Sequence, residues 1–185
     1  TTKPAMVRDI NRYAGDIVAT VVADTQTHAN HAVELTEASF EPLLAVTDGY
    51  AAMADGAPQL YGCYKNNRVF DWHAGNHSAA DAAFEQAEQN GWRRVEIDVV
   101  NNRVVINSIE TRPMWAGPGD APDSLEIWCG TQGPVGLAEQ IAAALSLLQE
   151  KVRVRTPDVG GSFGFKIFLH PEQLCLAWAA RRLGA

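Results

Sequence analysis

Two stretches near the end of the chain alternate apolar and polar residues. In Ser124–Cys129, Leu125, Ile127 and Cys129 alternate with Glu126 and Trp128, which predicts a half-buried strand. Lys151-Val152-Arg153-Val154-Arg155 is short and β-branched and predicts a second strand. Between them Leu137, Ala138, Ile141, Ala144, Leu145 and Leu148 recur at spacings of three and four, a core-facing helical stripe that starts at Pro134. A last helix is predicted over Glu172 to Arg182, with Leu174, Cys175, Trp178, Ala179 and Leu183 as its apolar set and Pro171 at its start. Earlier in the chain, Ile17 to Ala23 reads as a buried strand and Asp24-Thr25 as the cap of a helix from Gln26 to Leu35. Glu37 to Phe40 reads as a returning strand. Val95, Ile97 and Val99 alternate with Arg94, Glu96 and Asp98, a half-buried strand broken at Asn101-Asn102-Arg103 and resumed at Val104-Val105-Ile106. Met114 to Asp123, rich in glycine, alanine and proline, predicts a loop.

The second strand runs into Pro157-Asp158-Val159-Gly160-Gly161-Ser162-Phe163-Gly164-Phe165-Lys166. Glycines there allow positive φ and a close approach of backbone to a ligand, with amide N–H groups free to face oxygen atoms. Phe163, alone among them, is placed for contact. A plain tight turn is the competing reading.

A chain of 185 residues holds one substantial domain or two small ones. A net charge of −7 excludes a phosphate-neutralising surface, so nucleic acid is not an expected partner. No apolar run approaches the roughly 20 residues of a membrane helix, and the first residues show no signal peptide, so neither a membrane nor export is expected. Cys63, Cys129 and Cys175 form no C-x-x-C pair, which argues against a zinc or iron–sulfur site. Their odd number suggests reduced thiols and a cytoplasmic setting, with Cys129 and Cys175 in the core. His73 and His77 are four apart, a metal-compatible spacing on a helix, but Gly75 and Asn76 intervene and a surface loop is the expected reading.

Strand, Thr131-Gln132-Gly133-Pro134, amphipathic helix, K/R-V-x-V strand and P-D-V-G-G-x-F-G-x-K follow one another in an order that resembles the large, molybdopterin-binding subunit of the xanthine dehydrogenase and aldehyde oxidase family, nearest its carbon monoxide dehydrogenase-like branch. Upstream, R-Y-A-G-D-x-V-A-x-V-V-A-D-T and F-E-P-L-x-A-V resemble the close of that family's α/β hammerhead domain, and Ala80-Asp81-Ala82-Ala83-Phe84 resembles the end of its G-D-x-D-A-A-F signal, opening a helix to about Gln89.

The resemblance implies an α/β (α+β) fold. Residues 1–50 would be the end of the hammerhead, 51–78 a linker, and 79–185 the start of the cofactor domain. It implies a molybdopterin (molybdenum) cofactor and a catalytic role for Gln132, whose amide would contact an oxo ligand of molybdenum. Gly160, Gly161, Ser162, Phe163 and Gly164 would bind the cofactor, with Phe163 and Gly164 beside pterin and substrate. Implied partners are the remainder of the large subunit, iron–sulfur and FAD subunits, and a small-molecule substrate.

The family's N-x-x-E-P-R has Thr111 in place of proline here but keeps Glu110 and Arg112, expected to brace each other. Phe165 and Ile167 stand where a glycine and a glutamate are usual, which makes a purine substrate doubtful. The family's catalytic base lies beyond the matched segment, so this polypeptide alone is expected to be inactive. Three readings follow. The chain is part of a molybdenum hydroxylase acting on an aldehyde, an N-heterocycle or a similar small molecule. Alternatively it is a binding or assembly module that keeps the fold without the catalyst. The third, a phosphate-binding domain, lacks both G-x-G-x-x-G and G-K-[ST].

Overall fold

The computed structural model describes residues 4–102 and 104–184. The chain divides into two compact units, Thr1–Glu41 with Val105–Ala185, and Pro42–Val104.

The first unit is built on a three-stranded sheet in the order β1 (Met114–Pro118), β2 (Leu125–Cys129), β3 (Val152–Arg155). β1 pairs antiparallel with β2, Trp115 opposite Trp128; β2 pairs parallel with β3, Ile127 opposite Val154. A parallel pair needs a crossover, and α4 (Pro134–Leu145) supplies it. Alternation along β2 is clean: Leu125, Ile127 and Cys129 are buried, while Trp128 is exposed. The buried face meets Leu137, Ala138, Ile141, Ala142 and Leu145 of α4 and Ala177 and Ala180 of α5 (Pro171–Leu183). Ile127, Leu137 and Ile141 are fully buried. Each such side chain contributes about 1.5–3 kcal/mol by leaving water.

α4 stops three residues before the sequence stripe does. Ser146 takes a left-handed φ of 54° and ends the helix, leaving Leu148 exposed. α5 closes the core: Arg181 Nη1 donates to the Leu145 carbonyl at 2.8 Å, and Gly184 caps the helix at φ 69°.

β1 forms where a loop was expected. Its glycine and proline content hides it, yet both have structural reasons. The Trp115 ring lies over Gly117, where a Cβ would come within 2.6 Å of it, and Pro118 is the last residue of an edge strand. The expected strand at Ile17–Ala23 is absent. Val7 N–H donates to the Ile17 carbonyl, but among the described residues no ladder forms along this stretch, and Val18 and Val22 are exposed. Glu37–Phe40 likewise forms no strand. A β-branched run becomes a strand only where a neighbour completes its ladder, and among the described residues none does. α1 (Gln26–Glu34) forms as expected: Thr25 accepts from His28 N–H at 3.2 Å and Asp24 meets His28 Nδ1 at 2.6 Å.

In the second unit α2 (Gly49–Ala52) is capped by Asp48. Asn67, at φ 54°, ties this unit's turns together: its amide donates to the Ala52 and Pro58 carbonyls at 2.9 Å each and accepts from Leu60 N–H at 2.8 Å. α3 (His77–Gln89) starts before the expected Ala80, because the Asn76 side chain accepts from Ala79 N–H. The alternating run at 93–100 makes no strand, and Val95, Ile97 and Val99 are exposed. Arg103, in the expected break, lies outside the described residues.

Candidate functional site

Gln132 follows the last residues of β2 and precedes α4, whose N-cap is Gly133. Thr131 anchors this corner: its hydroxyl donates to the Lys166 carbonyl at 2.8 Å and accepts from Gly133 N–H at 3.2 Å. Gln132 N–H also donates to the Lys166 carbonyl, at 3.2 Å. The corner after β2 is thereby bound to the far end of the glycine loop.

The Gln132 side chain completes the junction. Its Oε1 accepts from the Ser162 hydroxyl and from Gly164 N–H at 3.1 Å. A backbone N–H can only donate, so the Gly164 bond fixes which way the amide faces. The carbonyl end is spent on the loop, and the Nε2 end has no partner among the described residues. Sequence alone placed Gln132 and the loop in one motif order; the geometry puts them in direct contact.

Ser162 is buried and serves both neighbours, donating to Gln132 and accepting from Lys166 N–H at 3.0 Å. Phe165 N–H donates to the Ser162 carbonyl at 2.9 Å, closing a turn over Phe163 and Gly164 with φ of 52° and 87°. Positive φ is uncommon for phenylalanine, and its cost is tolerated chiefly at functional sites. Phe163 is also 77% exposed, so burial does not explain it.

The amides expected to face a ligand divide. That of Phe165 is used within the loop, that of Gly164 goes to Gln132 Oε1, and Gly160 N–H donates to Glu110 Oε2 at 2.6 Å. Among the described residues, the Gly161, Ser162 and Phe163 amides keep no protein acceptor.

The expected Glu110–Arg112 brace does not form. Glu110 Oε1 instead meets Lys166 Nζ at 2.6 Å, and the Lys166 side chain is 1% exposed. The bonds from Lys166 and from Gly160 N–H hold the Glu110 carboxyl below its ordinary value. Arg112 turns to Glu172, donating from Nε at 3.0 Å and Nη2 at 2.5 Å. Burial alone would raise the Glu172 carboxyl, but the bond and charge of Arg112 outweigh it and the net shift is downward.

Phe165 packs on this second pair. The Arg112 guanidinium lies 4.1 Å from its ring centroid, and His170 meets it edge-on at 5.0 Å. His170 Nε2 lies 2.7 Å from the Phe165 carbonyl, and at the start of α5 His170 N–H donates to Gln173 Oε1 at 3.0 Å while the His170 carbonyl accepts from Gln173 N–H at 3.1 Å. The ring at position 165 borders an open cavity of about 280 Å³ that Asn107, Thr111, Arg112 and Glu172 also line. Lys166 is the residue of this junction that motif reading passed over. The signal was a charged side chain closing a glycine-rich loop.

Cys129 and Cys175 are buried, and burial pushes the Cys129 thiol up. His73 and His77 are exposed with rings 6.4 Å apart, and no group of three metal-ligating side chains exists among the described residues. No helix among them is long and apolar enough to cross a membrane.

Residues 61–185 match the model of the molybdopterin cofactor-binding domain. The chain belongs to that family. It is 31% identical over 180 residues to the carbon monoxide dehydrogenase large chain of Afipia carboxidovorans, a match over 90% of this chain and 22% of that protein. It is 29% identical over 182 residues to the nicotine 6-hydroxylase large subunit of Paenarthrobacter nicotinovorans, over 98% of this chain and 22% of that one. The fold matches the crystal structure of quinoline 2-oxidoreductase from Pseudomonas putida 86 with a TM-score of 0.73 and 29% identity, covering 100% of this chain and 23% of the other. The chain thus spans about a fifth of the length of these relatives. It is an α/β molybdopterin-binding segment of the xanthine dehydrogenase and aldehyde oxidase family.

Proposed function

We propose that the chain supplies Gln132 and the 160–164 loop to the active site of a molybdenum hydroxylase that oxidises an aldehyde, an N-heterocycle or a similar small molecule. One observation carries this reading: the Gln132 amide is clamped by its oxygen to Ser162 and Gly164, which leaves its N–H₂ end as an oriented donor beside an exposed aromatic.

The residues present fit a molybdopterin group. An amide N–H₂ suits a metal-bound oxygen, and the unengaged Gly161, Ser162 and Phe163 amides suit anionic oxygens. When bound, that group supplies the redox chemistry. Gln132 would hold one of its oxygens by donation from Nε2. Phe163, held out of the core by its left-handed backbone, would cover the group and border the substrate. Ile167 offers no carboxylate to orient a polar heterocycle, which disfavours a purine as substrate. The base that activates the nucleophile is proposed to lie elsewhere in the assembled protein, so this segment alone is inactive. Electrons would leave through iron–sulfur and FAD partner subunits.

The test is made on the natively assembled protein. Molybdenum per protein is measured by elemental analysis, and turnover is compared with that of Gln132→Ala. Removing an oriented donor should lower kcat by about 10²–10³. A protein lacking molybdenum as purified, or a Gln132→Ala variant with full turnover, would overturn the proposal.

A further inference from the structure

We propose that Lys166 and Glu110 are positioning residues that hold Gln132 in place by fixing the glycine loop against the corner after β2. The inference rests on the functional reading of Gln132 given above.

Three separate atoms of Lys166 serve four partners. Its Nζ meets Glu110 Oε1 at 2.6 Å, its N–H donates to Ser162 Oγ at 3.0 Å, and its carbonyl accepts from Gln132 N–H at 3.2 Å and the Thr131 hydroxyl at 2.8 Å. Ser162 in turn donates to the Gln132 amide oxygen. Glu110 grips the other end of the loop: Oε2 takes Gly160 N–H at 2.6 Å, and Glu110 N–H donates to the Gly160 carbonyl at 3.4 Å. Two glycines make room for the carboxylate. A Cβ on Gly130 would lie 2.7 Å from Glu110 Oε1, and one on Gly160 2.7 Å from Glu110 Cβ. Burying an ammonium is costly, and an apolar chain of the same length would fill the space without that cost. A lysine kept at 1% side-chain exposure therefore does what methionine cannot: it fixes the acid that pins Gly160.

The experiment uses the natively assembled protein and its Lys166→Met, Glu110→Gln, Gln132→Ala and Lys166→Met/Gln132→Ala variants. Amide hydrogen exchange is followed in cofactor-depleted protein. Lys166→Met and Glu110→Gln should each speed exchange at Gly160 and Gly164 by about tenfold or more, with α4 and α5 unchanged. In cofactor-loaded protein, Lys166→Met should lower kcat by about tenfold with KM held within about two-fold. The double variant should turn over at the rate of Gln132→Ala alone, because Lys166 acts through that residue. Unchanged exchange at Gly160 and Gly164, or losses that multiply in the double variant, would overturn the proposal. If Lys166→Met unfolds, which exchange in α4 would reveal, Glu110→Gln decides. A Gln132→Ala protein with its rate intact sinks the functional reading instead, and the exchange result still decides whether the pair holds the loop.

Discussion

Phe163 combines two features that stability does not reward: a backbone φ of 52° and a ring left 77% in solvent. Glycine would accept that backbone without strain, at the expense of extra freedom in the unfolded chain. Phe163→Gly should therefore shift unfolding stability by no more than about 1 kcal/mol, while cofactor retention in the assembled protein falls. A melt paired with a molybdenum assay reads both. A loss of several kcal/mol in the melt would show that the ring packs after all. Glu110 makes a prediction about acid. Its folded carboxyl titrates below its ordinary value of 4.5 because of Lys166 and Gly160. Its contribution is thus complete above the unfolded pKa and is lost as pH falls through the folded one. Loop amide exchange should quicken in that acid window, and Glu110→Gln should remove the dependence. Motif reading reached Gln132 and Phe163 but mispaired Glu110, because its true partner lies 56 residues along the chain. Proximity in sequence favoured Arg112, and only folding reveals a better cation.

At the scale of elements, β2, α4, β3 and α5 were legible because each carries its own periodicity together with a recognisable start. β1 was not, since Gly117 and Pro118 read as a turn until the Trp115 ring and the sheet edge account for them. The runs at 17–23 and 93–100 erred the other way. Their composition suits a strand, but strand formation depends on a partner that composition cannot supply. The core that positions the site turns on α4, whose Ile141 is fully buried against the sheet. Ile141→Ala should cost about 2–5 kcal/mol in denaturant unfolding, transfer and cavity terms combined. A cost below about 1 kcal/mol would mean that α4 is not held by that stripe.

Across the whole molecule, the site and its support are concentrated in one part of the chain. Every core residue of the main cluster lies between Ala116 and Ala180, and α1 buries none of its residues. Glu110, Arg112, Gln132, Ser162, Phe163 and Lys166 fall between 105 and 184 as well. A polypeptide of 105–184 alone should unfold cooperatively and keep slow amide exchange in β2 and α4. Loss of that protection would show that residues 4–104 contribute what the packing does not reveal. If the protection survives, the Gln132 corner and its glycine loop travel as one portable cassette. Such a cassette could be grafted or exchanged between relatives with its hydrogen-bonded geometry intact, leaving the preceding residues free to vary.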